Sequence, residues 1–271
     1  MNPSRRPLSL ALAAVLSLAC SGCKRPQPAA APEDQLVVFA AASLREAFTT
    51  LGEDFKRARP GVALTFNFAG TQELRTQLEH GAAVDVFASA DRRHMDELQR
   101  QSRVAGPVVF ARNEPVIVVA RESISAIRGL GDLPKATRIV IGAPEVPIGR
   151  YTLQLLDRAS AALGAGFRSQ VEAKVVSREL SVRQVLAKVS LGEAEAGIVY
   201  RTDVGPAQAR PGVVAIPPEL NVIAEYPIAV VSGAAHPRLA RGWVDLVLSP
   251  AGRSVLGGAG FLAPAASGGP P

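Results

Sequence analysis

Short apolar runs alternate along this chain with stretches whose apolar residues return every three or four positions. Residues 35–41 (QLVVFAA) form the first run, and after Ser43 the residues Leu44, Ala47, Phe48, Leu51 and Phe55 fall on one helical face. Val62, Leu64, Phe66 and Phe68 alternate with Ala63, Thr65 and Asn67, the period of two that a strand requires. Gly70-Thr71 opens a helix carrying Leu74 and Leu78 and closed by Gly81. VDVFAS is a short strand, and Asp91 begins a helix with Met95 and Leu98. PVIVVA (115–120), RIVIGA (138–143), AGIVY (196–200) and EYPIAVV (225–231) read as further strands. Helices are expected over 151–163, over 237–248, and after Ser181, where Val182, Val185, Leu186 and Val189 would be buried. This alternation predicts an α/β protein with mostly parallel sheets. The strands are too many for one compact sheet in 271 residues, so two lobes are expected, with PVIVVA and EYPIAVV as crossing points.

The ends of the chain read differently. Arg5 and Arg6 precede an apolar stretch, 8–19, that is too short for a stable membrane span, so 1–22 is expected to be a signal peptide. Ser21-Gly22 before Cys23 reads as a lipobox, with Cys20 standing where a leucine is usual. Cys23 is the expected lipidation site, the alternative being an ordinary cleaved signal. The Pro/Ala-rich stretch to residue 34 would then be a tether, and 263–271 a flexible tail. The two cysteines both lie in this leader, so the expected mature domain carries neither disulfide nor cysteine chemistry. Removing Arg5 and Arg6 lowers the formal charge from +6 to +4. The remaining basic residues are scattered and aromatics make up only 5%, which argues against nucleic acid as a partner. A mild positive field weakly favours an anionic ligand or an anionic membrane surface.

Four places share one plan: a strand end, a small or hydroxyl residue, then a helix start. They are Ser43, Gly70-Thr71, Pro147-Ile148-Gly149 and Ser181-Val182. Ligands of open α/β sheets bind beyond the carboxyl ends of the strands, and the first turn of each helix offers free N–H groups and a partial positive charge. Several such ends converging would hold an oxyanion with neutral donors alone. Ser43-x-x-Glu46 and Ser181-x-x-Gln184 also read as capping boxes, and a serine at such a position serves first to cap its helix. Asp85 and Asp91 could form a carboxylate pair, although Asp91 or Ser89 as a helix cap is the simpler reading. His80, His94 and His236 are isolated and lack metal-ligand spacing, so they read as surface residues. Tyr200, ending an apolar strand, is read equally as a core residue or a ligand donor. G-x-S-x-G, P-loop and G-x-G-x-x-G patterns are all missing from the sequence.

Taken together, VFAAASLREAF, VDVFASAD, APEVPIGRY and AGIVYRTD resemble the periplasmic molybdate-binding proteins that serve ABC importers, and the resemblance runs over about 36–261. It implies a two-lobed type II periplasmic-binding-protein fold, with lobe 1 over 35–115 and 229–262, lobe 2 over 116–228, and the ligand in the cleft between them. Carried onto this chain, it implies an oxyanion held by Ser43, by Thr71 where the family prefers serine, by backbone amides at Ile148 and Val182, and by Tyr200. Ile148 is bulkier than the residue often found there, and FAGTQEL is poorer in serine than expected. A metal would enter only as the centre of the molybdate or tungstate ion. No cofactor and no catalytic residue are expected.

Such a ligand is a proton-free dianion with acceptors only, so a site of donors matches it. A protonated phosphate would bury an O–H without a partner. Sulfate is acceptor-only too, and cavity size must exclude it. Partners implied are the permease of an ABC importer and, through the lipid, the membrane; a monomer in the periplasm or cell envelope is expected. The alternative keeps the fold and changes the ligand to sulfate or a small organic anion. A hydroxymethylbilane synthase-like transferase would need a cofactor-bearing cysteine in the folded part. A transcription-regulator effector domain would need a helix-turn-helix segment where the secretion signal stands.

Overall fold

The computed structural model describes residues 34–204 and 211–265. The expected signal peptide, Cys23, the expected tether to residue 33 and the expected tail from 266 lie outside the described residues. The strands are β1 (Gln35–Ala41), β2 (Ala63–Ala69), β3 (Val86–Ala88), β4 (Val104–Asn113), β5 (Pro115–Val119), β6 (Ile139–Gly142), β7 (Val175–Glu179), β8 (Ala196–Tyr200), β9 (Gly212–Val214) and β10 (Ala224–Val231). The α-helices are α1 (Arg45–Ala58), α2 (Thr71–Glu79), α3 (Arg92–Arg100), α4 (Pro147–Leu163), α5 (Phe167–Glu172), α6 (Val182–Ser190), α7 (Pro237–Leu248) and α8 (Pro250–Gly258).

Two five-stranded sheets repeat one plan, in the orders β2-β1-β3-β10-β4 and β7-β6-β8-β5-β9. In the first, β1 runs parallel to β2 and β3, with Val38 beside Phe66 and Val86, while β10 runs antiparallel to β3 and β4. In the second, β6 runs parallel to β7 and β8, while β5 runs antiparallel to β8 and β9. The sheets are therefore mixed, where alternation alone predicts mostly parallel ones. The cause is topological. In each sheet the one reversed strand is the one that enters from the other lobe. The parallel strands end at the cleft, so β4 leaves its lobe there and β5 must start there and run outward; β9 and β10 repeat this on the return. PVIVVA and EYPIAVV are thus strands just after the crossings, and the first crossing itself is only Glu114.

Burial explains why these segments hold. Val116 to Val119 of β5 and Ile139 to Ile141 of β6 are fully buried, as their unbroken apolar runs require. In the first lobe, α7 inserts Trp243 against Phe48 and Phe55 of α1 and Phe66 of β2, at ring-centroid distances of 5.3, 5.5 and 5.4 Å. Edge-to-face packing of this kind adds about 0.5–1.5 kcal/mol per pair beyond burial. β4 escapes a pattern reading because Gly106 and Pro107 interrupt it, and proline is tolerated on the sheet edge that β4 occupies. Among the described residues, no helix is long and apolar enough to cross a membrane.

Candidate functional site

The C-terminal ends of β1, β2, β6, β7 and β8 lead into the segments that line one cavity between the lobes. Ser43, Thr71, Ile148, Val182 and Tyr200 all border it, with Ala41, Ala42, Ala69, Gly70 and Ala90 filling in between. Every lining residue is uncharged. The cavity offers ≈ 20 Å³ to the centre of a water-sized sphere, against ~10–15 Å³ for a single water. That is room for one small solute.

Ser43 does not do what its sequence context predicts. A turn of 3-10 helix, Ala42–Leu44, precedes α1, and Leu44 takes the N-cap position. Ser43 is only 3% exposed, and its hydroxyl bonds the Tyr226 hydroxyl at 2.9 Å. Glu46, the other half of the expected capping box, reaches across the cleft to Arg183. The box fails because the tighter turn shifts the helix start by one residue, from Leu44 to Arg45, and frees the serine for tertiary contacts. The second box keeps its glutamine half: Gln184 Oε1 accepts from the backbone N–H of Ser181 at 3.1 Å.

Thr71 is the first residue of α2 and is 1% exposed. Its Oγ1 accepts the backbone N–H of Ala90 at 3.2 Å, leaving the hydroxyl proton for another acceptor. Ile148 and Val182 sit in the first turns of α4 and α6, where backbone N–H groups have no partner within the helix. Helix α4 begins at Pro147, four residues before the expected start; proline at the first position has its φ preset and no N–H to leave unpaired. A side chain on Gly149 would collide with the carbonyl oxygens of Gly142 and Ala143, so only glycine lets this first turn press against the end of β6.

Tyr200 ends β8 and is 1% exposed, and its hydroxyl finds no hydrogen-bond partner. Burial, aided by Tyr226 and Tyr151, pushes its pKa well above the usual tyrosine value. It therefore stays protonated and is a donor at any physiological pH. A buried hydroxyl without a partner costs about 1–3 kcal/mol, so this one calls for a ligand acceptor.

The lobes are tied around the cavity. Arg150 of α4 donates to Asp91 at 3.0 Å, Gln72 of α2 donates to the Leu180 carbonyl at 2.7 Å, and Arg183 of α6 pairs with Glu46. Arg183 also lies 3.2 Å from Asp203, a buried carboxylate that accepts the Tyr200 backbone N–H. Asp91 caps α3 through the His94 backbone N–H at 3.0 Å, while Asp85 accepts from Val37 and His236; the two aspartates thus hold separate structural posts rather than forming a pair. His94 is buried on the inner face of α3, not on the surface, because Met95 and Leu98 turn that face inward. Burial lowers its pKa, and the neutral ring donates from Nε2 to the Glu145 carbonyl at 2.9 Å. Among the described residues no group of histidine, cysteine and carboxylate side chains could hold a metal ion.

Pattern reading missed Tyr226 and Asn113, which stand behind Ser43. No local signal could reveal them: a tyrosine in an apolar strand reads as core, and its partner lies 183 residues away in sequence.

Comparison with known proteins agrees with this architecture. Residues 36–262 match the family of bacterial extracellular solute-binding proteins. The molybdate-binding protein ModA of Mycobacterium tuberculosis is 40% identical over 261 residues, spanning 93% of this chain and 96% of that protein. The protein of the same name from Escherichia coli is 33% identical over 239 residues, 85% and 88% of the two chains. The solved periplasmic molybdate-binding protein of Azotobacter vinelandii shares the fold, with a TM-score of 0.73 at 19% identity over 84% of this chain and 99% of that one. The chain belongs to the bacterial extracellular solute-binding proteins, and its relatives named ModA align with it along nearly their whole length.

Proposed function

We propose that this protein captures molybdate, or the closely similar tungstate, outside the cytoplasm and delivers it to the membrane permease of an ABC importer, acting as a carrier and not as an enzyme. The observation that carries the reading is the Tyr200 hydroxyl, buried and without a partner at an uncharged cavity that Ser43, Thr71, Ile148 and Val182 also line. In this reading the hydroxyls of Ser43, Thr71 and Tyr200 and the backbone N–H groups of Ile148 and Val182 donate to the four oxygens of one tetrahedral dianion. Neutral donors suit a doubly charged ion because helix first turns supply partial positive charge without a counter-ion to desolvate. The uncharged lining supports an ion held by neutral donors, and the names of the relatives support molybdate.

The lobes meet around the ligand by motion about the two crossings, and ligand contacts from both lobes draw the closed form together. We assign the first sheet with α1–α3, α7 and α8 to one lobe and the second sheet with α4–α6 to the other. Cleavage before Cys23 and its lipidation would tether a monomer to the cell envelope; that cysteine lies outside the described residues.

A thermal-shift panel tests the ligand, since a ligand that binds only the folded protein raises its melting temperature by mass action. Molybdate and tungstate are expected to raise it at micromolar concentration, with sulfate much weaker and phosphate inert. A panel in which sulfate wins, or in which no oxyanion acts, refutes the reading. Calorimetry tests the site: Ser43→Ala and Tyr200→Phe each remove one donor and are expected to weaken molybdate by about 10–100-fold, from roughly 1.5–3 kcal/mol per charge-assisted bond.

A further inference from the structure

We infer that Asn113 and Tyr226 fix the direction of the Ser43 hydroxyl, so that its proton is kept for the cavity. The inference rests on the proposed oxyanion site and names the residues that would set its selectivity.

The direction follows from one amide. Asn113 Oδ1 accepts the backbone N–H of Glu114 at 3.0 Å, which orients the side chain. Its Nδ2 therefore faces the Thr202 Oγ1 at 2.7 Å and the Tyr226 hydroxyl at a longer 3.4 Å. An amide nitrogen donates and never accepts. The Tyr226 oxygen thus receives a proton from Asn113, and its own proton has the Ser43 Oγ, 2.9 Å away, as acceptor. Ser43 Oγ is then occupied as an acceptor by Tyr226, and its proton points away from that bond, into the cavity it borders. The opposite arrangement, Ser43 donating to Tyr226, would leave the Tyr226 proton facing a nitrogen that cannot take it. Tyr226 is fully buried, away from bulk solvent, and burial keeps its pKa far above the usual tyrosine value. An unpaired buried proton of that kind is disfavoured by about 1–3 kcal/mol.

The chain of donors also straddles the crossing between lobes. Asn113 ends β4, Tyr226 lies in β10 of the same sheet, and Thr202 follows β8 in the other. The Ser43 proton is thus directed by groups that touch no ligand. They are positioning residues, and their predicted effect is on selectivity: a serine whose proton is committed to the cavity favours an acceptor-only ion over an anion that carries its own O–H.

The test compares sodium molybdate with sodium phosphate at pH 8, where phosphate is largely the hydrogen dianion, by calorimetry and competition on the purified protein. Tyr226→Phe leaves Ser43 free to turn and accept. Molybdate is expected to weaken about tenfold, while the preference for molybdate over hydrogen phosphate narrows by more than that factor because phosphate gains. Asn113→Asp is the second variant. Its carboxylate takes the Tyr226 proton, Ser43 turns to donate to Tyr226, and the same narrowing is expected; it carries the test should Tyr226→Phe not fold. Equal weakening of both anions, or an unchanged preference in the folded variant, overturns the inference. Failure of the unmodified protein to bind molybdate overturns the proposed function itself, which separates the two failures.

Discussion

Asp203 is fully enclosed beside the site, and burial pushes its carboxyl up to about 7 against the opposing pull of Arg183 and the Tyr200 N–H. In the unfolded chain the same group titrates near 3.9. The folded protein therefore holds the proton more tightly, and stability falls as pH rises from about 4 through about 7, levelling off above. Asp203→Asn keeps an acceptor for the Tyr200 N–H and removes the titration. Urea unfolding across pH 5–7 is expected to show the unmodified protein losing on the order of 2–3 kcal/mol relative to the variant, from about 1.4 kcal/mol per pH unit. Parallel curves for the two proteins would refute this. Single residues divide sharply in how far sequence reveals them. Ser43, Thr71 and Tyr200 were legible because each stands at a strand end or helix start within a recognisable motif. Asn113, Tyr226 and the buried His94 were not, because their roles exist only through partners distant in the chain.

Elements carry the site through their ends. Helix α4 brings Ile148 to the cavity only because Gly149 fits against the carbonyls of Gly142 and Ala143. Gly149→Ala inserts a methyl where backbone already stands, so the first turn of α4 must shift away from β6. Overpacking of this kind costs about 1–3 kcal/mol. The expected result is that much lost in urea unfolding, together with weaker molybdate binding. Full affinity in Gly149→Ala would remove Ile148 from the ligand set. Strand and helix identities followed from periodicity wherever the pattern was long, as in β5, β6, β8 and α7. The boundaries that failed did so for local reasons. A 3-10 turn displaced α1, a proline at the first position lengthened α4, and a Gly-Pro pair concealed β4 at the sheet edge.

At the scale of the whole molecule, the two sheets meet across a seam where Gly70 lies against the Leu180 carbonyl of the other lobe. A β-carbon at Gly70 would collide with that oxygen, while the backbone there, at φ −60° and ψ 138°, accepts any residue. Gly70→Ala is thus expected to leave each lobe intact and wedge the pair apart. Unliganded melting should change little, molybdate affinity should fall at least tenfold, and small-angle scattering with molybdate should show less compaction than in the unmodified protein. Normal compaction with normal affinity would show that the seam is not where the lobes close. The two-lobed plan was legible from the count of strands. Its mixed sheets were not, since strand direction depends on which lobe the chain has just left.

The unpartnered phenol of Tyr200 bears on what happens before any cargo arrives. With nothing to accept its proton, shutting the jaws on an empty cleft strands a polar group away from water, at a cost of about 1–3 kcal/mol. An anion oxygen that accepts this proton removes that penalty. An importer that recognises the shut form would then be spared futile visits from carriers with nothing aboard.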